Sequence, residues 1–213
     1  MKVYKTNEIR NIALIGGAKS GKTTLAETML CEGGLINRRG SVEDKNTVSD
    51  YREIELERQN SVSSTVLYSE YKGKKINIID TPGFDDFVGE VVAALKVADT
   101  ALMVVNAQNG VEVGTEITWR HTVKNHTPVM FVVNQLEHEK ANFEETLRQL
   151  KTQFGTHVTV AQYHVGDGHA FHGIVDLLQM KMYKFSDGKT EVVDIPANEQ
   201  SKAEDLHNAL IEK

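Results

Sequence analysis

A single cysteine, Cys31, stands in the 213 residues. That excludes an internal disulfide framework and a multi-cysteine zinc site, and it fits a reducing compartment. A cationic excess is missing as well: Lys and Arg number 24 against 30 Asp and Glu, a formal net charge of −6. No bulk positive field draws this chain to nucleic acid, so DNA is not an expected partner and any RNA contact has to be local. No apolar run exceeds about six residues, where a membrane helix requires roughly 18. Met1 to Arg10 lacks the apolar centre of a signal peptide. These absences predict a cytoplasmic chain with no membrane partner. Internal repeats and low-complexity tracts are also missing.

What is present is the balance of an ordinary globular chain, 40% apolar and 25% charged. At about 150 residues per domain, the length predicts one domain plus a remainder. Short β-type runs alternate with helical patterns, the signature of strand-helix-strand units around a parallel sheet. Strands are expected at Ile12–Ile15, Val62–Tyr71, Lys75–Ile79, Leu102–Val105 and Val129–Val133, the second and third as an edge hairpin around Gly73. Helices are expected at Thr23–Cys31, Val88–Val97, Gly114–Asn125 and Glu139–Phe154. The predicted fold class is α/β, a doubly wound, mostly parallel sheet with helices on both faces. Residues 1–157 read as its core. After Gly155 the pattern shortens to a strand at Val158–Ala161, a loop rich in Gly and His, an apolar stretch at Ile174–Phe185 and a charged tail, so residues 158–213 read as leading into part of a subdomain.

The segment from Gly34 to Asn60 is polar, has no firm period and is long for an idle connection, which makes it a candidate switch or lid. Its densest acidic part, Glu43–Glu57, holds six carboxylates against two basic residues and by itself reads as a solvated loop.

The strongest chemical signal is Gly16-Gly17-Ala18-Lys19-Ser20-Gly21-Lys22-Thr23, the P-loop pattern G-x-x-x-x-G-K-[ST], between a predicted strand and a predicted helix. Its glycines let successive N–H groups point at phosphate oxygens, the helix amino end adds positive potential, and Lys22 reaches the outer phosphates. Thr23 offers its hydroxyl to Mg²⁺. The P-loop NTPase reading thus rests on motif and flanks together. Asp80-Thr81-Pro82-Gly83 follows a predicted strand; alone it is also a good turn. Beside a P-loop, Asp80 fits the carboxylate that holds the metal and Gly83 the amide that meets the γ-phosphate. A third stretch, Asn134-Gln135-Leu136-Glu137, follows the last core strand. All three lie at carboxyl ends of predicted parallel strands, the edge where such sheets bind ligands.

Gly16 to Thr24, Arg58 to Ser63, Asp80 to Gly83, Asn134 to Glu137 and Gly173-Ile174-Val175-Asp176-Leu177-Leu178 fall in an order and spacing that resembles the translational GTPases. The resemblance is in particular to the GTP-binding domain of elongation factor G and its divergent second-copy relatives, over about residues 10 to 185. It implies GTP/GDP and Mg²⁺ as cofactors, the ribosome and its RNA as partner, and a role in translocation. It adds Thr24 to the nucleotide contacts and aligns Ser61 with the family's metal-binding switch threonine. Gly173 to Met182 resembles the start of the subdomain inserted in that family's nucleotide domain. By that comparison the rest of the insert, the final guanine-contacting loop and the later domains are absent.

Departures from the family pattern shape the expected activity. The family's water-positioning His is here Phe84, whose ring offers no such hydrogen bond, so hydrolysis is expected to be weak or absent. The alternative is that Phe84 packs in an apolar gate while Asp85 or Asp86 takes the water. The base-reading N-K-x-D is here N-Q-L-E: Glu137 keeps the carboxylate on a longer stem and Gln135 removes a cation, which weakens guanine recognition. Lys19 replaces an aspartate that helps hold a monovalent cation; its ammonium either stands in for that cation or projects into solvent. Three function classes follow: a ribosome-stimulated GTPase, a GTP-gated ribosome-binding module without hydrolysis, and a P-loop ATPase or kinase, against which Glu137 after Asn134 argues. His169 and His172 lack metal-site context, and Trp119 reads as core or interface.

Overall fold

The computed structural model describes residues 3–155, 157–166, 168–186 and 189–213. They form two units: Met1–Asn106 with Glu112–Asn134, and Ala107–Val111 with Gln135–Lys213. The 157/158 boundary expected from sequence falls inside the second.

The first unit contains β1 (Ile9–Ile15), α1 (Lys22–Glu32), α2 (Glu53–Arg58), β2 (Thr65–Tyr71), β3 (Lys74–Asp80), α3 (Val88–Leu95), β4 (Thr100–Asn106), α4 (Val113–Asn125) and β5 (Val129–Asn134). Its sheet has the order β2-β3-β1-β4-β5. Pairings β3-β1, β1-β4 and β4-β5 are parallel, while β2 joins antiparallel as the expected edge hairpin. The hairpin turns on Lys72 and Gly73, both at positive φ (46° and 78°), the backbone a two-residue type I′ turn requires. Alternation in β1 covers both faces: Leu14 packs with Ala26 and Leu30 of α1, Leu67 and Ile78. Ala13 and Ile15 point the other way and are fully buried, on the strand that α3 also packs against.

β1 is the crossing point of this topology, because the chain builds β2 and β3 on one side of it and β4 and β5 on the other. Ligands of open α/β sheets bind at the carboxyl edge of such a point. Register brings the strand ends together there: Leu14 pairs with Asp80, and Asn106 with Asn134.

The second unit holds α5 (Phe143–Phe154), β6 (Gln162–Val165), β7 (Gly173–Asp176), β8 (Lys181–Ser186), β9 (Lys189–Val193) and α6 (Ala197–Ile211). Its antiparallel sheet runs β6-β7-β8-β9. The core gathers Val160, Tyr163, Val175, Leu177, Met182, Ile195 and Ala203, with Phe143 and Leu147 of α5 against it.

Three expectations change here. Val158–Ala161 is not a strand: pairing with β7 begins at Gln162, and Val160 enters the core from a loop. The helix expected from Glu139 starts at Phe143, because Asn142 caps it by accepting from the Glu145 N–H at 2.9 Å. The charged tail contains a helix, α6, which Ala203, Leu206 and Leu210 fasten to the core at spacings of one helical turn. Among the described residues no helix is long and apolar enough to cross a membrane.

Candidate functional site

The turn between β1 and α1 is forced into a curl. Gly16 (φ 132°), Lys19 (φ 59°) and Gly21 (φ 95°) all take left-handed values, which glycine adopts freely and lysine does not. Lys22, the first residue of α1, is folded back into the curl and only 6% exposed. Its Nζ donates to the carbonyls of Gly16 at 3.0 Å and Gly17 at 2.8 Å. Burial lowers its ammonium to about 8, against the opposing pull of Asp80 and then Asp50. Gly83 lies against this lysine: a methyl group there would stand 2.5 Å from Nζ and 2.8 Å from the Ala18 Cα. Ser20 is buried with its hydroxyl unpartnered, whereas Lys19 and Thr24 are exposed.

Next to the curl lies a polar cluster. Asp80, 1% exposed at the end of β3, accepts on Oδ2 from Thr23 at 2.8 Å and from Ser49 at 2.7 Å. The Ser61 hydroxyl is 3.4 Å from that of Thr23 and hydrogen-bonds to Asp50. Burial pushes the Asp80 carboxyl up to about 6, with the Ser49 and Thr23 hydroxyls and Lys22 resisting. Burial raises the Asp50 carboxyl too, partly offset by Ser61. Asp80 Oδ1 is buried without a partner. Three hydroxyls and two carboxylates, one with an unpartnered oxygen, fit a small hard cation of the Mg²⁺ type. Such an ion takes one or two carboxylates and completes its shell with water and phosphate. Among the described residues no group of three or more His, Cys, Asp and Glu could hold a metal by itself.

Thr23, Ser61 and Asp80, singled out from sequence, therefore meet. Ser49 and Asp50 were missed, and the only signal pointing to them was the length of the polar segment. Its acidic stretch is not simply a solvated loop, since Asp50 is 5% and Glu55 1% exposed. Burial selects these two carboxylates because each has donors waiting: Ser61 for Asp50, and backbone N–H groups for Glu55.

A family profile described as the elongation factor Tu GTP binding domain matches residues 7–213. The chain belongs to that family. An elongation factor G-like protein of Mycobacterium tuberculosis (strain ATCC 25618 / H37Rv) is 36% identical over 204 residues, covering 96% of this chain and 28% of that protein. Another elongation factor G-like protein, from Thermotoga maritima, is 37% identical over 205 residues, with 96% and 29% covered. A crystal structure from Thermus thermophilus aligns with a TM-score of 0.90 at 32% identity, over 96% of this chain and 31% of that one. The chain thus spans under a third of the length of these relatives.

In this translational GTPase domain the residue after Gly83 is Phe84, 42% exposed and followed by a single tight helical turn, Asp85–Phe87. It is not enclosed in an apolar gate. Asp85 and Asp86 are exposed as well. Asn134 closes β5 and donates from Nδ2 to the Ser20 carbonyl at 2.9 Å, tying the strand end to the curled loop. Gln135 (φ 62°) and Glu137 belong to the second unit, where Gln135 accepts from Gln108 at 3.2 Å and Glu137 is exposed in a turn that precedes α5. Trp119 stacks on Phe131 with ring centroids 5.7 Å apart, a packing role.

Proposed function

We propose that this domain binds GTP or GDP together with Mg²⁺ and serves a ribosomal elongation factor of the elongation factor G type, in the cytoplasm, as a slowly hydrolysing GTP switch. One observation carries the reading: a buried ammonium and a curled amide loop lie beside a hydroxyl-rich carboxylate cluster with an unpartnered oxygen. An anion with an attached divalent cation complements both halves, and a nucleotide triphosphate is that combination.

In this reading the amides of Gly16 to Thr23 hold the phosphates, with Thr24 beside them at the start of α1. Lys22 neutralises the outer phosphates, and the Gly83 N–H faces the γ-phosphate. Thr23, Ser61 and Asp80 would hold Mg²⁺, which when bound neutralises developing charge on phosphate oxygens. Asn134 braces the loop, and Gln135 and Glu137 read the base. Residues 158–213 open an inserted subdomain. Phe84 supplies no hydrogen bond to a water, which supports a factor that docks on ribosomal RNA in its GTP form and leaves mainly by exchange.

Calorimetric titration with GTP, GDP and ATP, each with and without Mg²⁺, tests the reading. Tight Mg²⁺-dependent GTP binding is expected; no heat with any nucleotide overturns it. A second reading, a GTP-gated ribosome-binding module with no hydrolysis at all, is favoured by the same Phe84. Single-turnover GTP cleavage with and without ribosomes separates the two.

A further inference from the structure

Beneath the Thr23–Asp80 cluster lies a group that the nucleotide site itself does not use. Glu27 sits one turn along α1 from Thr23 and is completely buried. A buried carboxylate is expensive unless its oxygens are satisfied, and both are. Oε2 accepts from the Gly40 N–H at 3.0 Å and Oε1 from the Val48 N–H at 2.5 Å. Glu27 thus grips both ends of one loop. That loop is closed on itself as well: Asn46 Oδ1 accepts from the Ser41 N–H at 2.8 Å, and the Asn46 N–H donates to the Ser41 carbonyl at 3.4 Å. Glycine is required where the loop meets the carboxylate, because a Cβ on Gly40 would lie 2.5 Å from the Asn46 carbonyl oxygen and 3.0 Å from Glu27 Oε2.

The residue after Val48 is Ser49, whose hydroxyl reaches Asp80 Oδ2. The gripped amide and the contact at the cluster thus belong to consecutive residues. On the far side of the segment Glu55, also buried, accepts from the Val62 and Ser63 N–H groups at 3.0 and 3.2 Å, directly after Ser61. Both polar arms that reach the cluster are therefore held from behind by a carboxylate.

We propose that Glu27 is a positioning residue: by holding the Gly40 and Val48 amides it sets Ser49 against Asp80 and preorganises the switch segment around the cation site. This rests on the reading of the Thr23–Asp80 cluster as that site. Preorganisation matters because a metal-dependent contact formed by a segment that must first be ordered loses affinity to the ordering entropy. Glu27 couples that order to α1, the helix that also carries Lys22 and Thr23.

Glu27→Gln is the sharpest test, since it keeps volume but replaces one oxygen by an N–H₂ donor that opposes a backbone donor. One of the two amides then loses its acceptor, a loss of about tenfold or more in the affected equilibrium. Two measurements on the full chain read it. Hydrogen exchange of the Gly40 and Val48 amides without nucleotide is expected to quicken about tenfold at one or both. GTP affinity is expected to fall about tenfold with Mg²⁺ and to stay within about twofold in EDTA, where the curled loop alone holds phosphate. Gly40→Ala, which leaves the carboxylate in place, is expected to act in the same direction.

Unchanged amide exchange in Glu27→Gln overturns the proposal. So does an equal loss of affinity with and without Mg²⁺, the mark of a merely structural role. If the parent chain binds no GTP in either buffer, it is the nucleotide reading that falls, and the exchange data alone decide whether Glu27 holds the loop.

Discussion

The Thr23 hydroxyl donates to Asp80 Oδ2 at 2.8 Å, joining the first turn of α1 to the carboxyl end of β3. Ser49 donates to the same oxygen, so the carboxylate commits one oxygen to the protein and keeps the other, Oδ1, buried and unused. That division of labour suits a carboxylate kept for a ligand, at a cost to the empty fold.

The cost is testable through Asp80→Asn. The folded carboxyl is pushed up to about 6 from an ordinary 3.8, so its stabilising, protonated form is fully present below the ordinary value and lost as pH rises through about 6. At neutral pH the ionised group therefore destabilises the nucleotide-free fold, on the order of 1–3 kcal/mol, a net figure in which the attraction of Lys22 is already included. Asp80→Asn is expected to melt a few degrees higher than the parent while losing the Mg²⁺-dependent part of GTP affinity. A lower melting temperature together with intact Mg²⁺ dependence would contradict both halves.

Nucleotide affinity is expected to peak between about 6 and about 8 in pH. Below the window Asp80 takes up a proton and gives up its charge toward a cation; above it Lys22, lowered to about 8, loses its charge toward phosphate. The unliganded fold behaves in the opposite sense on the alkaline side. Lys22 binds its proton less tightly folded than unfolded, so stability rises as pH climbs from about 8 toward the ordinary 10.5. Titrations across pH on the parent and on Lys22→Met check this: the alkaline fall in affinity should vanish in the variant.

Phe84→His is expected to raise single-turnover GTP cleavage on ribosomes by about 10²–10³, the usual worth of one positioned polar group in such a site. Equal rates for the two proteins would show that another group positions the water.

Glu137→Ala is expected to reduce the preference for GTP over ATP in direct competition and to leave Mg²⁺ dependence alone, because the carboxylate is assigned to the base and not to the phosphates. Unaltered preference removes Glu137 from the site.

How much of this was legible in the chain depends on the range of the interaction. The P-loop and the Asp80 turn could be read because their chemistry is encoded in contiguous residues at the ends of strongly apolar strands. The edge hairpin could be read because Lys72-Gly73 is a local turn signal. Val158–Ala161 misled because valines at alternate positions, Val158 and Val160, look alike in a strand and in a loop that dips into a core. The helix Ala197–Ile211 was hidden by its composition, with only a narrow stripe of Ala203, Leu206 and Leu210 facing inward.

Sequence alone determined the phosphate-type loop, the order of strands and helices in the first unit apart from the short α2 in the polar segment, and the family, since each follows from local pattern. Only tertiary structure decided that, among the carboxylates of a polar segment and its neighbouring helix, Glu27, Asp50 and Glu55 turn inward while others stay in solvent. The physical reason is that burial of a charge is settled by whether donors from distant parts of the chain arrive to meet it, and those arrivals leave no periodic trace along the sequence.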